Sequence, residues 1–466
     1  MTDAAVKISK RPRRIAIAIL TSVAAVSCLI CCGGSYFLYY RTWDVRRVAA
    51  RAEPAEKAYR AAGLPWQAND IDPQPPVTEA ENAAPLFLQA IKALDGRGFS
   101  VATMKLAAPA RAGRFAEIYG LLKPFASEMT LAAKAAERPR LEFKRDWDQG
   151  AGLLFPELAF FKYFDKAFCA RAEAEAAAER DTSCLGDLRT ALRLTGLLRS
   201  EPMLLGMLTW MSCTTIFDRA VEQAAYFMRD RPASLAALGN MLAFQPAPDL
   251  QHALRGEAYM GVVTFRNLDH TQIRQLSGDT SAPPDTGPPR PLVRTGLPKG
   301  QIERAWATVH LELWTRVARV LAEHPGDPFA TIREFDRIND DLDRHPSVSN
   351  MLELIMFPMI NNIWIPVKKD RALHRALQAL IETMEIRATT GQYPRRLSEV
   401  PGTWIDPFTN TPLKYKLTAV GVRIYSVGVE LRDHGGVAQS EVPEGSKAYD
   451  IIAACPPIPP RPAASH

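Results

Sequence analysis

The sequence predicts a mainly α-helical protein with a single N-terminal transmembrane helix and a small C-terminal α+β module that contains a short antiparallel sheet. Three observations support this fold class. An apolar stretch without charge lies near the N-terminus, amphipathic segments of helical period fill the middle, and β-prone alternation follows Gly391. The overall apolar fraction of 47% is ordinary for a globular protein, so the water-soluble part can bury a large core.

Residues 15–40 carry no charged side chain and are preceded by the basic tail 1–14. A helix of this length rises about 39 Å, whereas the hydrocarbon core of a bilayer is about 30 Å thick. We therefore predict that residues 15–40 cross the lipid bilayer once. Five basic residues in the tail, against four in 41–51, favour a cytoplasmic N-terminus and a large extracytoplasmic domain at the inner membrane. A cleaved signal peptide and a lipoprotein anchored at Cys28 are the alternatives.

The first part of the soluble region reads as a stalk and linker, 41–77, followed by a helical domain, 78–275. Residues 41–60 are charged and Ala-rich, with Pro54 interrupting the predicted stalk helix. Asn82 is the predicted cap of the first helix of the domain, because asparagine accepts hydrogen bonds from the free N–H groups of a first turn.

Further amphipathic helices are predicted in the helical domain from Pro156 to Glu179, from Ser183, from Pro202 to Arg229, and over 233–244 and 250–275. Short turns between long amphipathic helices make neighbours antiparallel. This organisation predicts an α-helical bundle or a solenoid-like stack.

The remaining segments are a Pro-rich linker, a helical segment, a C-terminal module and a disordered tail, over 276–300, 301–370, 371–454 and 455–466. The module begins with an amphipathic helix that ends near Thr390. Residues 412–417 and 421–427 then alternate basic with apolar or aromatic side chains, which predicts two strands packed on that helix.

Composition narrows the classes of function. Net charge is +6, yet no basic stretch is interleaved with stacking aromatics, so we predict no nucleic-acid partner. The soluble part has four cysteines and no zinc-type spacing. On a helical hairpin that turns at Arg180, Cys169 and Cys184 would lie about 12 Å apart along the helix, which is too far for a disulfide bond.

No complete catalytic motif is present. Four weaker patterns have structural interpretations instead. They are the pair His310 and Glu312 on one helix, His374 at the edge of an apolar stripe, the carboxylates Asp336 and Asp340 among arginines, and the stripe Met203, Met207 and Met211 beside Trp210. We predict surface or packing roles for these residues, with the Met stripe in the core.

The C-terminal module resembles the globular part of type II secretion pseudopilins over about 80 residues, as found at the end of anchored bacterial envelope proteins. The resemblance rests on a long helix ending in Gly391-Gln-Tyr-Pro394, then Asp406-Pro-Phe-Thr-Asn410, Ile424-Tyr-Ser-Val-Gly428, Asp433-His-Gly-Gly436 and Asp450-Ile451. The chain departs from that family at 15–40, which contains no acidic residue, and at Val429-Glu430-Leu431, where the family has Ala-Asp-Gly.

The resemblance implies a calcium site in the loop after the second strand. Carried over residue by residue, Glu430, Asp433 and Asp450 are the candidate ligands. Calcium suits such a loop because it accepts 6–8 oxygen ligands in flexible geometry.

The predicted function is that of a membrane-anchored, non-enzymatic scaffold or interaction protein of the bacterial cell envelope, in a secretion-type or other envelope assembly. Its predicted partners are the lipid bilayer, through residues 15–40, and envelope proteins. Two alternatives stay open: an envelope hydrolase whose site is assembled from distant residues, and a helical domain that binds a lipid or another small molecule.

Overall fold

A computed structural model describes residues 43–243, 250–267, 299–324, 328–347, 349–351, 353–354, 357 and 364–458. The protein is mainly helical, at 66%, with one small antiparallel sheet. The predicted tail 1–14 and membrane segment 15–40 lie outside the described residues. The predicted linker 276–300 does too, except for residues 299 and 300. Among the helices that are described, none is long and apolar enough to cross a membrane.

The described residues form two compact units. Unit 1 comprises those within Met1–Gly63, Gly261–Pro325 and Arg333–Pro358. Unit 2 comprises those within Leu64–Met260, Gly326–Ile332 and Met359–His466. Residues of the predicted helical domain and of the predicted C-terminal module therefore lie together in unit 2.

Unit 1 contains α1 (43–49), α2 (Ala52–Ala61), α13 (Lys299–Glu323) and most of α14 (Pro328–Arg344). Val45, Val48 and Ala49 are buried and pack with Ala305 of α13. These contacts place the predicted stalk residues against a folded unit. The chain turns between α1 and α2 at Ala50 and Arg51, and Pro54 lies in the first turn of α2, where no N–H donor is needed.

Most of the other described helices lie in unit 2. They are α3 (Ala84–Ala93), α4 (Phe99–Lys105), α5 (Ala107–Arg111), α6 (Phe115–Leu122), α7 (Ala126–Ala136), α8 (Leu158–Ala177), α9 (Asp181–Leu197), α10 (Leu204–Phe227), α11 (Pro232–Ala243), the part of α12 (Leu250–Asn267) up to Met260, and α15 (Trp364–Thr390). The periodicity predicted most of these helices within a few residues. The predicted extension of α12 to 275 lies outside the described residues.

The first helices of unit 2 are fixed by the predicted cap and by aromatic packing. The Asn82 side chain accepts hydrogen bonds from the N–H groups of Ala84 and Glu142, each at 3.0 Å. The ring of Phe87 on α3 stacks on Phe161 of α8, with centroids 4.1 Å apart. Both rings are fully buried, so this stack joins the start of the unit to its central helices.

Helices α8 and α9 form the predicted hairpin. Arg171 and Asp187 join them through two hydrogen bonds of 2.6 Å, a bidentate geometry that fixes their relative register. Cys169 and Cys184 are free and buried, which confirms that they form no disulfide bond.

The sheet has three strands, in the order β1 (Lys414–Leu417), β2 (Val422–Ser426) and β3 (Ile451–Cys455). Both pairings are antiparallel, with Tyr415 opposite Ile424 and Ile424 opposite Ala453. The sequence predicted the first two strands and missed the third. Helix α15 packs against β2 and β3 on one side and against α10 and α11 on the other.

The outer edge of β3 is closed by a side chain rather than by another strand. The N–H of Ala454 donates to the Glu222 carboxylate of α10 at 2.7 Å. Glu222 is itself buried and paired with Arg219 at 2.9 Å. This bond satisfies an edge donor that would otherwise be buried without a partner, and it ties the sheet to the central helix.

Candidate functional site

An open groove lies on the surface of unit 2 beside helices α4, α5 and α6. Its volume is about 460 Å³, and its lining residues are Lys105, Ala108, Pro109, Arg114, Glu117, Gly120 and Leu121. The chain reverses between α5 and α6 at Gly113, whose φ of +68° is a conformation that glycine adopts without strain. The turn therefore places two short helices side by side and leaves the groove between them.

One wall of the groove continues into exposed apolar side chains. Leu106 has helical dihedrals, so the backbone runs without a break from α4 into α5. Val101, Met104, Lys105 and Ala108 then share one face, at spacings of three and four residues. Val101 is 49% exposed and Met104 is 60% exposed, so this face presents two large apolar side chains to solvent.

Gly120 leaves space on the opposite wall. It lies inside α6, where glycine costs roughly 1 kcal/mol relative to alanine. A Cβ atom built at this position would meet nothing within 4 Å. Close helix packing therefore does not explain why glycine occupies this position. Because Gly120 has no side chain, the space above it stays open at this wall of the groove.

The charges at the groove leave an excess of positive charge. Arg114 pairs with Glu117 at 2.7 Å, which neutralises both groups. Lys105 has no ion-pair partner among the residues that the structure describes. An apolar groove with an unpaired lysine suits a segment that presents apolar side chains and a carboxylate.

A buried polar network lies elsewhere in unit 2, where α10 meets α15. Asp218 is 1% exposed and its Oδ1 lies 3.2 Å from Nδ1 of His374. The other ring nitrogen, Nε2, lies 3.1 Å from the carbonyl oxygen of Leu242. Both neighbours are acceptors, so the geometry favours an imidazolium that donates from both nitrogens.

The electrostatics agree with this protonation state. Burial lowers the pKa of His374, but the charge and hydrogen bond of Asp218 outweigh it, so the net pKa is raised above its usual value. An imidazolium whose two N–H groups are both engaged has no lone pair with which to accept a proton. The pair therefore fixes the position of α15 against α10 and α11 rather than acting as a base.

Asp370 lies one turn before His374 on α15. Thr214 Oγ1 lies 2.6 Å from Asp370 Oδ1 and 2.9 Å from the carbonyl oxygen of Met211. The hydroxyl has one proton for these two contacts, so the second hydrogen bond requires a proton on Asp370. Burial, followed by the nearby charge of Asp218, raises the pKa of Asp370 to about 7.

Asp165 of α8 is a further buried carboxyl group, close enough to Asp218 for the two charges to interact. It is fully buried and faces Thr195 of α9 at 3.4 Å. Burial raises its pKa well above the usual value, and the hydrogen bond to Thr195 opposes this only in part. A neutral carboxyl at this depth avoids the cost of a second buried negative charge beside Asp218.

The structure places the three predicted calcium ligands around one loop, and each has protein partners there. Glu430 faces His434 at 3.4 Å, and Asp433 accepts a hydrogen bond from the Gly435 N–H at 2.8 Å. Asp450 accepts hydrogen bonds from the backbone N–H groups of His434, Gly436 and Val437. Within the described ranges, no group of three or more His, Cys, Asp or Glu side chains is arranged to hold a metal ion.

Basic side chains contact the carbonyl groups of the same loop. Lys416 Nζ donates to the Gly435 carbonyl at 2.7 Å, and Arg423 donates to the Gly436 carbonyl at 2.6 Å. Positive charge is thus already supplied to this loop by the sheet beneath it. Calcium binding by Glu430, Asp433 and Asp450 stays a prediction.

The other sequence candidates are separated from one another. His310 is buried and pairs with Glu353 at 2.7 Å, whereas Glu312 is partly exposed and pairs with Arg51 at 2.8 Å. Asp340 pairs with Arg344 on the exposed side of α14, at 3.5 Å. Met203, Met207, Met211 and Trp210 are all buried, which confirms the predicted core role.

Sequence reasoning missed the groove and most of the polar network. Gly120 was a usable signal, because glycine inside a helix costs stability relative to alanine and so calls for a local explanation. Asp218 and His374 lie 156 positions apart, and no local pattern joins them.

Comparison with protein-family models, with curated proteins and with solved structures found no match. The resemblance of the C-terminal module to pseudopilins therefore rests on the quoted sequence residues alone and stays a prediction.

Proposed function

We propose that this protein is a membrane-anchored, non-enzymatic interaction protein of the bacterial cell envelope, in a secretion-type or similar assembly. Residues 15–40 hold it in the inner membrane, and the groove beside α4, α5 and α6 binds a segment of a protein partner. The observation that carries this proposal is the open groove itself, with an exposed apolar wall and a helix glycine that leaves room for a ligand.

The chemistry of the groove defines the partner segment. Apolar side chains of the segment would cover Met104, Val101 and Leu121, which removes exposed apolar surface from water. A carboxylate on the segment would pair with Lys105. An amphipathic helix or an extended peptide with both features satisfies these requirements.

The rest of unit 2 supports a scaffold role. Asp218, His374 and Asp370 join three helices, α10, α11 and α15, through hydrogen bonds inside the protein. A rigid framework presents the groove without an ordering cost at the moment of binding, which favours affinity.

The groove is tested by placing a photoreactive amino acid at Leu121 and cross-linking in native membranes. We expect an adduct whose mapped partner peptide contains apolar residues and at least one carboxylate. Gly120→Trp fills the groove and should abolish the adduct, whereas Gly120→Ala should retain it.

Gly186 supplies the matched control, because it also lies inside a helix and a Cβ atom added there would meet nothing within 4 Å. Gly186→Trp adds the same bulk outside the groove and should leave the adduct intact. Equal adducts from Gly120→Trp and Gly186→Trp would overturn the proposed binding site.

The anchor is tested separately by carbonate extraction of membranes that contain the full chain. We expect the protein to stay in the membrane pellet. A cysteine introduced in the 276–300 linker should react with an impermeant maleimide on intact spheroplasts. Protection of that cysteine would place the large domain in the cytoplasm, and release by carbonate would contradict the anchor.

A further inference from the structure

Helix α1 carries an exposed stripe of one tryptophan and two arginines. Trp43 is 45% exposed, and Arg46 and Arg47 are exposed three and four positions later, which puts all three on one face. The Arg47 guanidinium lies over the Trp43 ring, 4.9 Å from its centroid. We call Trp43, Arg46 and Arg47 the α1 stripe.

The opposite face of α1 is fixed inside unit 1. Val45 and Val48 are buried against α13, as described above. Asp44 accepts a hydrogen bond from the Ser349 hydroxyl at 2.8 Å. Just after α1, Arg51 binds Glu312 through two hydrogen bonds, of 2.8 and 2.9 Å. The α1 stripe is therefore part of a folded unit and cannot swing independently of it.

The sequence limits how far the stripe can lie from the predicted membrane segment. Trp43 follows Tyr40, the last residue of that segment, by three positions. Three residues span at most about 11 Å even when fully extended. The polar headgroup region on each side of a bilayer is roughly 5–8 Å thick. Trp43 must then lie in or just beside the headgroups if residues 15–40 span the hydrocarbon core.

We propose that the α1 stripe contacts anionic phospholipid headgroups and seats unit 1 directly on the bilayer surface. This inference rests on the anchor in the proposed function. Tryptophan prefers the interface between hydrocarbon and water, because its ring is apolar and its N–H is polar. Guanidinium groups match lipid phosphates in charge and in hydrogen-bonding geometry. Arg46 supplies one such group, and Arg47, which also lies 3.6 Å from Asp44, supplies the other.

The partner is the bilayer rather than another protein, because chain length forces the stripe into that region. Arg41 adds to the positive charge near the same boundary, whereas Arg51 is already paired with Glu312. Anionic headgroups attract such juxtamembrane basic residues, and the attraction falls off within a Debye length of about 8–10 Å.

The test uses the full chain reconstituted into vesicles of phosphatidylcholine, with and without phosphatidylglycerol. Lipids brominated near the headgroup quench nearby tryptophan fluorescence. The Trp43 signal is the difference between the wild-type protein and Trp43→Phe. We expect this difference signal to be quenched, and more strongly in the vesicles that contain phosphatidylglycerol. No quenching of the difference signal would overturn the proposal.

A charge-reversed variant tests the role of the arginines. Arg46→Glu with Arg47→Glu should reduce the quenching in anionic vesicles at least twofold. Arg432→Glu, which changes an exposed arginine in unit 2, is the control and should match the wild type. Equal quenching in all three proteins would contradict the headgroup contact.

Carbonate extraction of the same vesicles distinguishes a failure of the membrane anchor from a failure of the headgroup contact. If the chain is extracted, the anchor fails and the headgroup contact fails with it. If the chain stays integrated but Trp43 is not quenched, only the headgroup contact is wrong and the anchor stands.

Discussion

The α10–α15 interface and the α4–α6 groove, both in unit 2, differ in which side chains they bury and which they leave exposed to water. At the interface, the buried carboxylate of Asp218 is engaged by the partly buried side chain of His374. At the groove, large apolar side chains such as Met104 are left in water, and Lys105 lacks an ion-pair partner among the described residues. The interface groups have partners within the protein, whereas the groove is the region that we propose to bind another molecule.

This difference separates a structural role from a binding role. Burying charge is costly unless partners compensate, so a satisfied buried pair indicates selection for a defined packing. Exposed apolar surface brings no stability to the isolated protein, so under our proposal the groove side chains contribute to binding instead. The two regions should therefore respond to mutation in different ways, one in stability and the other in binding.

The largest effect is expected at the interface. Asp218→Ala leaves the imidazolium of His374 buried without its counter-charge and should lower the free energy of unfolding by about 3–5 kcal/mol. Urea denaturation of the solubilised full chain measures this. Ser212→Ala, an exposed change on the same helix, should cost less than about 0.5 kcal/mol. A similar loss of unfolding free energy in Asp218→Ala and Ser212→Ala would contradict a special stabilising role for the Asp218–His374 pair.

The next largest loss of stability is expected at the hydrogen bond between Glu222 of α10 and Ala454 of the sheet. Glu222→Ala leaves the buried N–H of Ala454 without an acceptor and should cost about 1–3 kcal/mol. Hydrogen exchange at the Ala454 amide should accelerate at the same time. Glu222→Gln keeps an acceptor oxygen and should lose less stability. Unchanged exchange in Glu222→Ala would show that the edge is protected by other means.

The stability of the interface should also depend on pH. The pKa of Asp370 is raised to about 7 from a usual value of about 3.8, so the folded state holds its proton more tightly than the unfolded chain does. Its stabilising contribution is complete below the unfolded pKa and is lost as the pH rises through 7. Stability should fall by about 1 kcal/mol from one unit below this pKa to one unit above it.

Asp370→Asn isolates this contribution, because the amide does not titrate. The variant should lose stability less steeply over the same range. The raised pKa of His374 acts in the same direction, since its charge also disappears as the pH rises, so some slope will persist in the variant. Identical slopes in the wild type and in Asp370→Asn would show that Asp370 does not titrate near neutral pH.

The smallest effect is expected from calcium. If Glu430, Asp433 and Asp450 bind the ion, added calcium should raise the melting temperature of the full chain slightly, and EDTA should reverse the shift. Asp433→Asn should abolish the response. Identical melting curves in calcium and in EDTA would show that these three carboxylates do not bind calcium. The hydrogen bonds from Lys416 and Arg423 would then account for the conformation of the loop.

The sequence was informative where the pattern is local. Helices α3, α8 to α12 and most of α15 follow from apolar residues at spacings of three and four, and the first two strands follow from alternation. Helices α4 to α7 were not predicted. Strand β3, Ile451–Cys455, has no alternation because nearly all of its residues are buried, and the prolines after it favoured a disordered tail. A short apolar run of this kind does not distinguish a buried strand from other structures.

The functional features depend on contacts between distant positions. Glu222 and Ala454 lie 232 positions apart, and Thr214 and Asp370 lie 156 apart. No periodicity joins such residues, because their proximity is a result of the tertiary fold. The groove depends similarly on how two short helices meet at Gly113, and the sequence alone specifies only that a turn is present there.

The most direct test of the central claim is the affinity of the purified full chain for a synthetic copy of the partner segment mapped by cross-linking at Leu121. The account predicts that Gly120→Trp weakens this affinity at least tenfold, about 1.4 kcal/mol. Gly120→Ala and Gly186→Trp should bind like the wild type, and none of the three should lose the fold. Equal affinity in Gly120→Trp and the wild type would contradict the claim that the groove is the binding site.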